Sequence, residues 1–279
     1  MGEPSELLYF HHVPKTAGTS LVDVLRANYG GGLLELYDGP RLREALRVQG
    51  DARRRALGIR DGLRCIASHS CEIVVPLLPP AHRAFSVLRN PIERVISLYY
   101  YARSIAESDP NHGGAAGRIL LETGWSLDDL FDELGGGGEK ASPRHQVFWD
   151  FFNGQARHLL RPYKPVQRIP FAQGLPEKTR DFMAAFRSLQ EERYCVGIQE
   201  EFETSVRVFA ARFGWSQLLF PRKRRTEDRP RARDVAQATR EKILEYNRLD
   251  MRLWREARQA LARGAEKLGI ELAAGPGHG

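Results

Sequence analysis

The sequence predicts an α/β fold, a mostly parallel central sheet with helices on both faces. Three observations lead there. Four short apolar runs, Leu7 to His12, Leu63 to Ala67, Ala84 to Leu88 and Tyr194 to Ile198, have the length and composition of buried strands. Helical spacing follows three of them, so strands alternate with helices, and such crossovers pair strands in parallel. The 279 residues are 42% hydrophobic, enough to cover a sheet on both sides. No linker divides the chain, so residues 1–272 read as a single domain. Residues 273–279, rich in glycine, read as a disordered tail.

The elements follow in order. The first strand stops at Pro14, and Lys15-Thr16-Ala17-Gly18-Thr19-Ser20 is a loop of small residues with Thr19 or Ser20 as N-cap. Leu21, Val24 and Leu25 then keep helical spacing. A polar, arginine-rich stretch from Arg41 to Arg60 predicts an exposed helix. After the third run, Pro91 opens a helix in which Ile92, Val95, Ile96, Tyr99 and Tyr100 form one apolar stripe, expected to pack on the sheet. Asp109 to Gly117 and Gly135 to Gly138 read as loops. Phe202, Val206, Phe209 and Phe213 share a helical face beyond the fourth strand. A basic loop, Pro221 to Arg233, precedes one long helix over 235–268.

Composition excludes several classes. Cys65, Cys71 and Cys195 are too few for a disulfide framework, and no cysteine–histidine spacing reads as a zinc site, so no metal is implied. No apolar run is long enough to span a membrane, and MGEPSELLYF has no signal-peptide pattern. A cytoplasmic protein is the expectation. The net charge of +7 comes from 35 arginines and 7 lysines against 35 acidic residues. It admits nucleic acid, an anionic surface or a polyanionic ligand.

Two segments choose among these. In His12-Val13-Pro14-Lys15-Thr16-Ala17-Gly18-Thr19-Ser20, a strand feeds a helix through small residues. That arrangement points backbone N–H groups at an anion, with Lys15 as an added charge and Thr16, Thr19 and Ser20 as donors. It is not the GxxxxGK[ST] loop of nucleoside triphosphatases, because the lysine precedes the glycine. In Leu88-Arg89-Asn90-Pro91-Ile92-Glu93-Arg94-Val95-Ile96-Ser97-Leu98-Tyr99-Tyr100, Arg89 at a strand end and Ser97 on the next helix can converge on one phosphate.

These two segments resemble, in this order and spacing, the phosphosulfate loop and the 3′-phosphate segment of the sulfotransferases that use 3′-phosphoadenosine 5′-phosphosulfate (PAPS). The resemblance is to the branch of heparan sulfate 2-O-sulfotransferases and bacterial relatives. It implies a P-loop-like sulfotransferase fold and sulfuryl transfer to a hydroxyl or amine, with PAP released. It implies Lys15 on the leaving group, Thr16, Ala17, Gly18, Thr19 and Ser20 around the 5′-phosphate, and Arg89 with Ser97 on the 3′-phosphate. Arg222 and Lys223, heading the run Arg222-Lys223-Arg224-Arg225, would belong to a basic flap over the nucleotide. His69, in Ala67-Ser68-His69-Ser70 at a strand's C-terminal edge, stands where the branch carries a Gly-His pair that supplies the base, here with Ser68 for the glycine. Glu72 is the alternative base.

Three weaker matches lie in Val196 to Phe202, in Asn247-Arg248-Leu249-Asp250 with Leu253-Trp254, and in Asn153-Gly154-Gln155-Ala156-Arg157. They read as structural, with a cofactor or acceptor role for Arg157 open. Ser104 to Arg168 would shape the acceptor side, where Trp125, Trp149, Phe151 and Phe152 read as core. The acceptor is a small molecule or glycan of unspecified class, and no nucleic-acid partner is expected. Two alternatives stay open: a nucleotide kinase-like phosphoryl transferase, and a PAP-binding protein without catalysis.

Overall fold

The computed structural model describes residues 6–37, 39–109, 114–135, 147–160, 193–220 and 229–271, with Arg144 and a few positions between 183 and 190. The order is β1 (Leu8–His11), α1 (Gly18–Tyr29), β2 (Leu33–Leu36), α2 (Gly39–Arg47), α3 (Gly50–Leu57), β3 (Cys65–Ser68), α4 (Cys71–Val74) and β4 (Arg83–Leu88). Then come α5 (Pro91–Ser108), α6 (Gly114–Thr123), α7 (Leu127–Gly135), α8 (Gly154–Leu160), β5 (Tyr194–Ile198), α9 (Phe202–Phe213), α10 (Gln237–Tyr246) and α11 (Arg248–Lys267). The predicted α/β class holds. Five strands form one all-parallel sheet in the order β2-β3-β1-β4-β5.

The four predicted strands are all present, each within about two residues of its expected bounds. In the fifth, β2, Glu35 interrupts the apolar residues of Leu33 to Tyr37. It is an edge strand with three of its four residues only half-buried, Glu35 among them, so burial imposes little pattern. The arginine-rich helix expected over Arg41 to Arg60 is two helices. Gly50 at φ +56° separates them, and Gly58 at φ +74° ends the second by donating its amide to Arg54 and Arg55. Part of the loop expected at Asp109 to Gly117 is instead the start of α6. There Gly117 lets α6 approach α5 so closely that a Cβ would lie 2.4 Å from the Ala102 carbonyl. The long helix expected over 235–268 breaks at Asn247 into α10 and α11.

Among the described residues there are two apolar clusters. The larger covers the sheet, where the rings of Phe85, Phe209, Phe213 and Trp215 lie 5.0–6.1 Å apart. Burying such side chains contributes about 1.5–3 kcal/mol each. The second gathers Val95, Ile96 and Tyr99 of α5 with Leu120, Leu130, Phe131, Phe148, Phe151, Phe152 and Ile243. The α5 stripe therefore packs on helices α6, α7 and α10, and not on the sheet as its spacing suggested. A helical stripe records that a face is buried, but not against what. Phe151 and Phe152 are core residues, as expected.

Because every strand is parallel, all five C-terminal ends lie along one edge, the edge at which ligands bind in open α/β sheets. There β1 delivers His12 and the loop after it, β3 delivers His69, and β4 delivers Arg89. The strands β3, β1 and β4 are adjacent, so these three groups become neighbours.

Candidate active site

The loop after β1 coils tightly. Lys15 and Ala17 both hold positive φ, 67° and 66°, a conformation that costs a non-glycine residue energy and recurs at functional loops. Alternation of this kind turns successive N–H groups to one side. Gly18, the first residue of α1, meets His12 so closely that a Cβ there would lie 1.8 Å from Nε2. Thr16 donates its hydroxyl to the Val13 carbonyl at 2.8 Å and braces the loop. Ser20 is buried and Thr19 exposed. The Lys15 ammonium lies 3.7 Å from the centre of the Tyr101 ring on α5. Burial, then Arg89, Arg229 and Arg94, bring its pKa down to about 8.

Arg89 closes the gap between the two segments. Its Nη1 reaches the Lys15 carbonyl at 3.4 Å and its Nη2 donates to Glu93 at 3.0 Å. Burial, followed by the charge of Arg229, lowers its pKa to about 10. Asn90 caps α5 by accepting from Ile92, and Pro91 occupies the first helical turn. Glu93 and Ser97 follow Arg89 at four and eight residues on this segment, and Ser97 is buried. Arg222 and Lys223 lie outside the described residues. The basic loop returns to view at Arg229, whose guanidinium contacts both the carboxylate and the carbonyl of Glu93 at 3.2 Å.

All three weaker sequence matches converge on Arg89 and Asn90. The Gln155 side chain accepts from the Arg89 amide and donates to the Arg89 carbonyl, each at 2.9 Å. Asp250 accepts the amides of Gln155 and Ala156, and Asn153 and Asn247 bond across the same junction. Glu200 accepts from the Asn90 amide at 2.8 Å and from Trp254 at 3.2 Å. Arg157 donates to the Phe152 carbonyl. The Gln155, Asp250 and Glu200 contacts hold the backbone that carries Arg89.

His69 is half-buried and its Nδ1 lies 2.6 Å from the His12 carbonyl. A carbonyl only accepts, so Nδ1 carries the proton and Nε2 keeps the lone pair in the neutral ring. The His12 ring is 4.0 Å from that of His69, and its Nδ1 meets the Tyr37 hydroxyl at 2.8 Å. Burial lowers the His69 pKa further than the His12 carbonyl raises it. Glu72 is exposed on the short helix α4.

Sequence spacing gives no hint of the groups behind this edge. Arg94, fully buried, donates from Nε to the Pro14 carbonyl at 3.0 Å and from its two terminal nitrogens to Asp150 at 2.9 and 2.6 Å. Asp150 also lies 3.3 Å from Nε2 of His158. Burial opposes its ionisation, but Arg94 and His158 hold the carboxyl well below the usual carboxylate range. Gly154 is required here, since a Cβ would meet Asp150 at 2.4 Å and Arg94 at 2.7 Å. His158, for which the sequence offers no partner, brings a ligand-type atom within 4.8 Å of His11 and Cys71. His158 pairs with Asp150, and no metal role is assigned to the three.

Residues 2–118, which contain both phosphate segments and His69, match the family model described as "Sulfotransferase family". The crystal structure of a sulfotransferase from Alicyclobacillus acidocaldarius aligns over 98% of this chain and 99% of its own, with 15% identity and a TM-score of 0.40. No curated protein matches the chain. Among the described residues no helix is long and apolar enough to cross a membrane. The match is to the family as a whole and does not single out a branch. Over residues 2–118, then, the chain is similar to the sulfotransferase family.

Proposed function

We propose that this protein transfers a sulfuryl group from PAPS to an acceptor hydroxyl or amine. The observation that carries the reading is the meeting of Lys15 and Arg89, 74 residues apart, at one sheet edge beside an unusually coiled loop. Lys15, Arg89, Arg94 and Arg229 stand close enough to lower one another's or Lys15's basicity. Among the described residues Arg94 pairs with Asp150, while Arg89 and Arg229 share the single carboxylate of Glu93. The surplus positive charge calls for a ligand with several negative charges.

The chemistry is an in-line displacement at sulfur. His69 Nε2 takes the proton from the acceptor as its oxygen or nitrogen bonds to sulfur. The bond from sulfur to the 5′-phosphate oxygen breaks, and its electron pair stays on that oxygen. Lys15 stabilises the charge developing there. The loop from Thr16 to Ser20 holds the 5′-phosphate, and Arg89 with Ser97 holds the 3′-phosphate. The products are the sulfated acceptor and PAP, and His69 returns its proton to solvent.

Two measurements test this. PAP at micromolar concentration should raise the melting temperature without magnesium, and AMP should raise it much less, because binding to the folded state alone stabilises it. Equal shifts, or a magnesium requirement, would favour a kinase-like phosphoryl transferase. The pH profile tests the role of Lys15. Its ammonium is lost as pH rises through about 8, so kcat/KM should fall on the alkaline side near that pH. With the anionic donor bound the ammonium is favoured, so the same limb in kcat should move upward. Lys15→Ala should abolish the limb and slow transfer to every acceptor. A limb that stays in place in Lys15→Ala would exclude the lysine as its source.

A further inference from the structure

Glu93 is an acid in the middle of a cationic site, and no role has been given to it. Its carboxylate accepts from Arg89 Nη2 at 3.0 Å, from Arg229 Nη2 at 3.2 Å and from the Ala232 amide at 2.8 Å. Its own carbonyl accepts from Arg229 Nη1 at 3.2 Å. Three of these bonds join the first turn of α5 to the chain just after the basic run 221–228, and the fourth comes from Arg89. They tie two arginines 140 residues apart to one carboxylate.

Two guanidinium groups on one carboxylate leave net positive charge, so the cluster still attracts an anion. Glu93 also lies between Arg89 and Ser97 along the segment, four residues from each. Its second oxygen is anchored to the Ala232 backbone, so the carboxylate is fixed from both sides and is not a mobile counter-ion.

We infer that Glu93 is a positioning residue for the site's terminal-phosphate contact: it holds Arg89 and Arg229 as a pair on a phosphate and anchors the base of the basic loop beside them. The inference rests on the PAPS reading above, and it adds Arg229 as the second cation and Glu93 as the group that aims both. Charge-assisted bonds of this kind fix guanidinium geometry. Loosening them should therefore weaken recognition of the 3′-phosphate selectively.

The test is titration calorimetry of the full chain with PAP and with AMP, which lacks the 3′-phosphate. Glu93→Gln keeps an acceptor for the Ala232 amide and removes the charge. It should weaken PAP binding roughly tenfold, the size of one charge-assisted contact, and leave AMP affinity within about twofold. Arg229→Gln should give a similar loss, and the double variant should lose little more than either alone, since one acts through the other. Tighter PAP binding in Glu93→Gln would make the carboxylate a competitor and overturn the inference. Equal losses for PAP and AMP would mark a general structural role and overturn it too, as would fully additive losses. A wild-type chain that prefers PAP, with an unchanged preference in Glu93→Gln, overturns this inference alone. A wild-type chain that treats the two ligands alike overturns the PAPS reading, and this one with it.

Discussion

Replacing His69 with alanine is expected to lower turnover by about 10²–10⁴-fold, the usual contribution of a positioned general base, while PAP affinity stays near wild type. The expectation rests on geometry. The His12 carbonyl fixes the protonated nitrogen of His69 at Nδ1, so Nε2 is the basic atom. Burial holds the pKa below that of a free imidazole, so the ring is neutral near pH 7 and able to accept a proton. The acidic limb of wild-type activity should therefore lie below the ordinary histidine range, as Nε2 becomes protonated. The variant should lose that limb together with its rate. His69 touches none of the phosphate-binding residues through a hydrogen bond described above, which is why donor binding should survive. A variant that turns over at near wild-type rate, in a fold shown intact by circular dichroism, would falsify the assignment. Glu72, exposed on α4, would then be the next residue to replace.

Arg94→Ala should destabilise the fold by about 3–5 kcal/mol, because removing one partner of a buried ion pair strands the other. Asp150 would keep its burial and lose the guanidinium that favours its charged form. In a chain of this size that loss corresponds to a fall in melting temperature of roughly 10 °C. Arg94→Lys should recover little, since one ammonium cannot span the Pro14 carbonyl together with the carbonyl and the carboxylate of Asp150. Adding Asp150→Asn to Arg94→Ala should restore part of the stability by removing the stranded charge. The sign with pH follows from the lowered Asp150 pKa. Its stabilisation is present above the pKa of an unfolded aspartate and is lost as pH falls below that value through the folded one. Melting curves that are additive for the two changes, or a small effect of Arg94→Ala, would show that the pair is not coupled.

The same network makes a point about the loop. Arg94 donates to Pro14, the residue before Lys15, so the buried pair also supports the loop's positive-φ backbone. A stable but misplaced loop is thus the expected secondary effect of any change at Arg94. It would be seen as weaker PAP and AMP binding alike, in contrast to the selective loss expected at Glu93.

How much of this was legible beforehand differs between levels. Strands β1, β3, β4 and β5 were visible because both of their faces are buried, which forces continuous apolar runs. The loop after β1 and the segment from Arg89 to Ser97 were visible because each is contiguous. Anion binding by a loop or a helix start needs particular residues at fixed local spacing, and the sequence displays that spacing directly. The edge strand β2 escaped because a half-buried strand is under weak compositional constraint. The break at Asn247 escaped because its cause is remote: the side chain turns to the Phe151 carbonyl, 96 residues away.

The long-range pairings could come only from the folded chain. Nothing local to Glu93 announces Arg229, nothing local to Arg94 announces Asp150, and nothing local to His158 announces His11. The same holds for His69: its place at a strand end was readable, but its tautomer depends on a carbonyl 57 residues away. The sequence by itself therefore determined the fold class and which residues are proposed to meet phosphate, because both readings rest on local patterns. Which carboxylate orients which arginine, and which nitrogen of His69 is basic, was decided by tertiary structure. These depend on distances of about 3 Å between residues far apart in the chain, and such distances leave no periodicity to read.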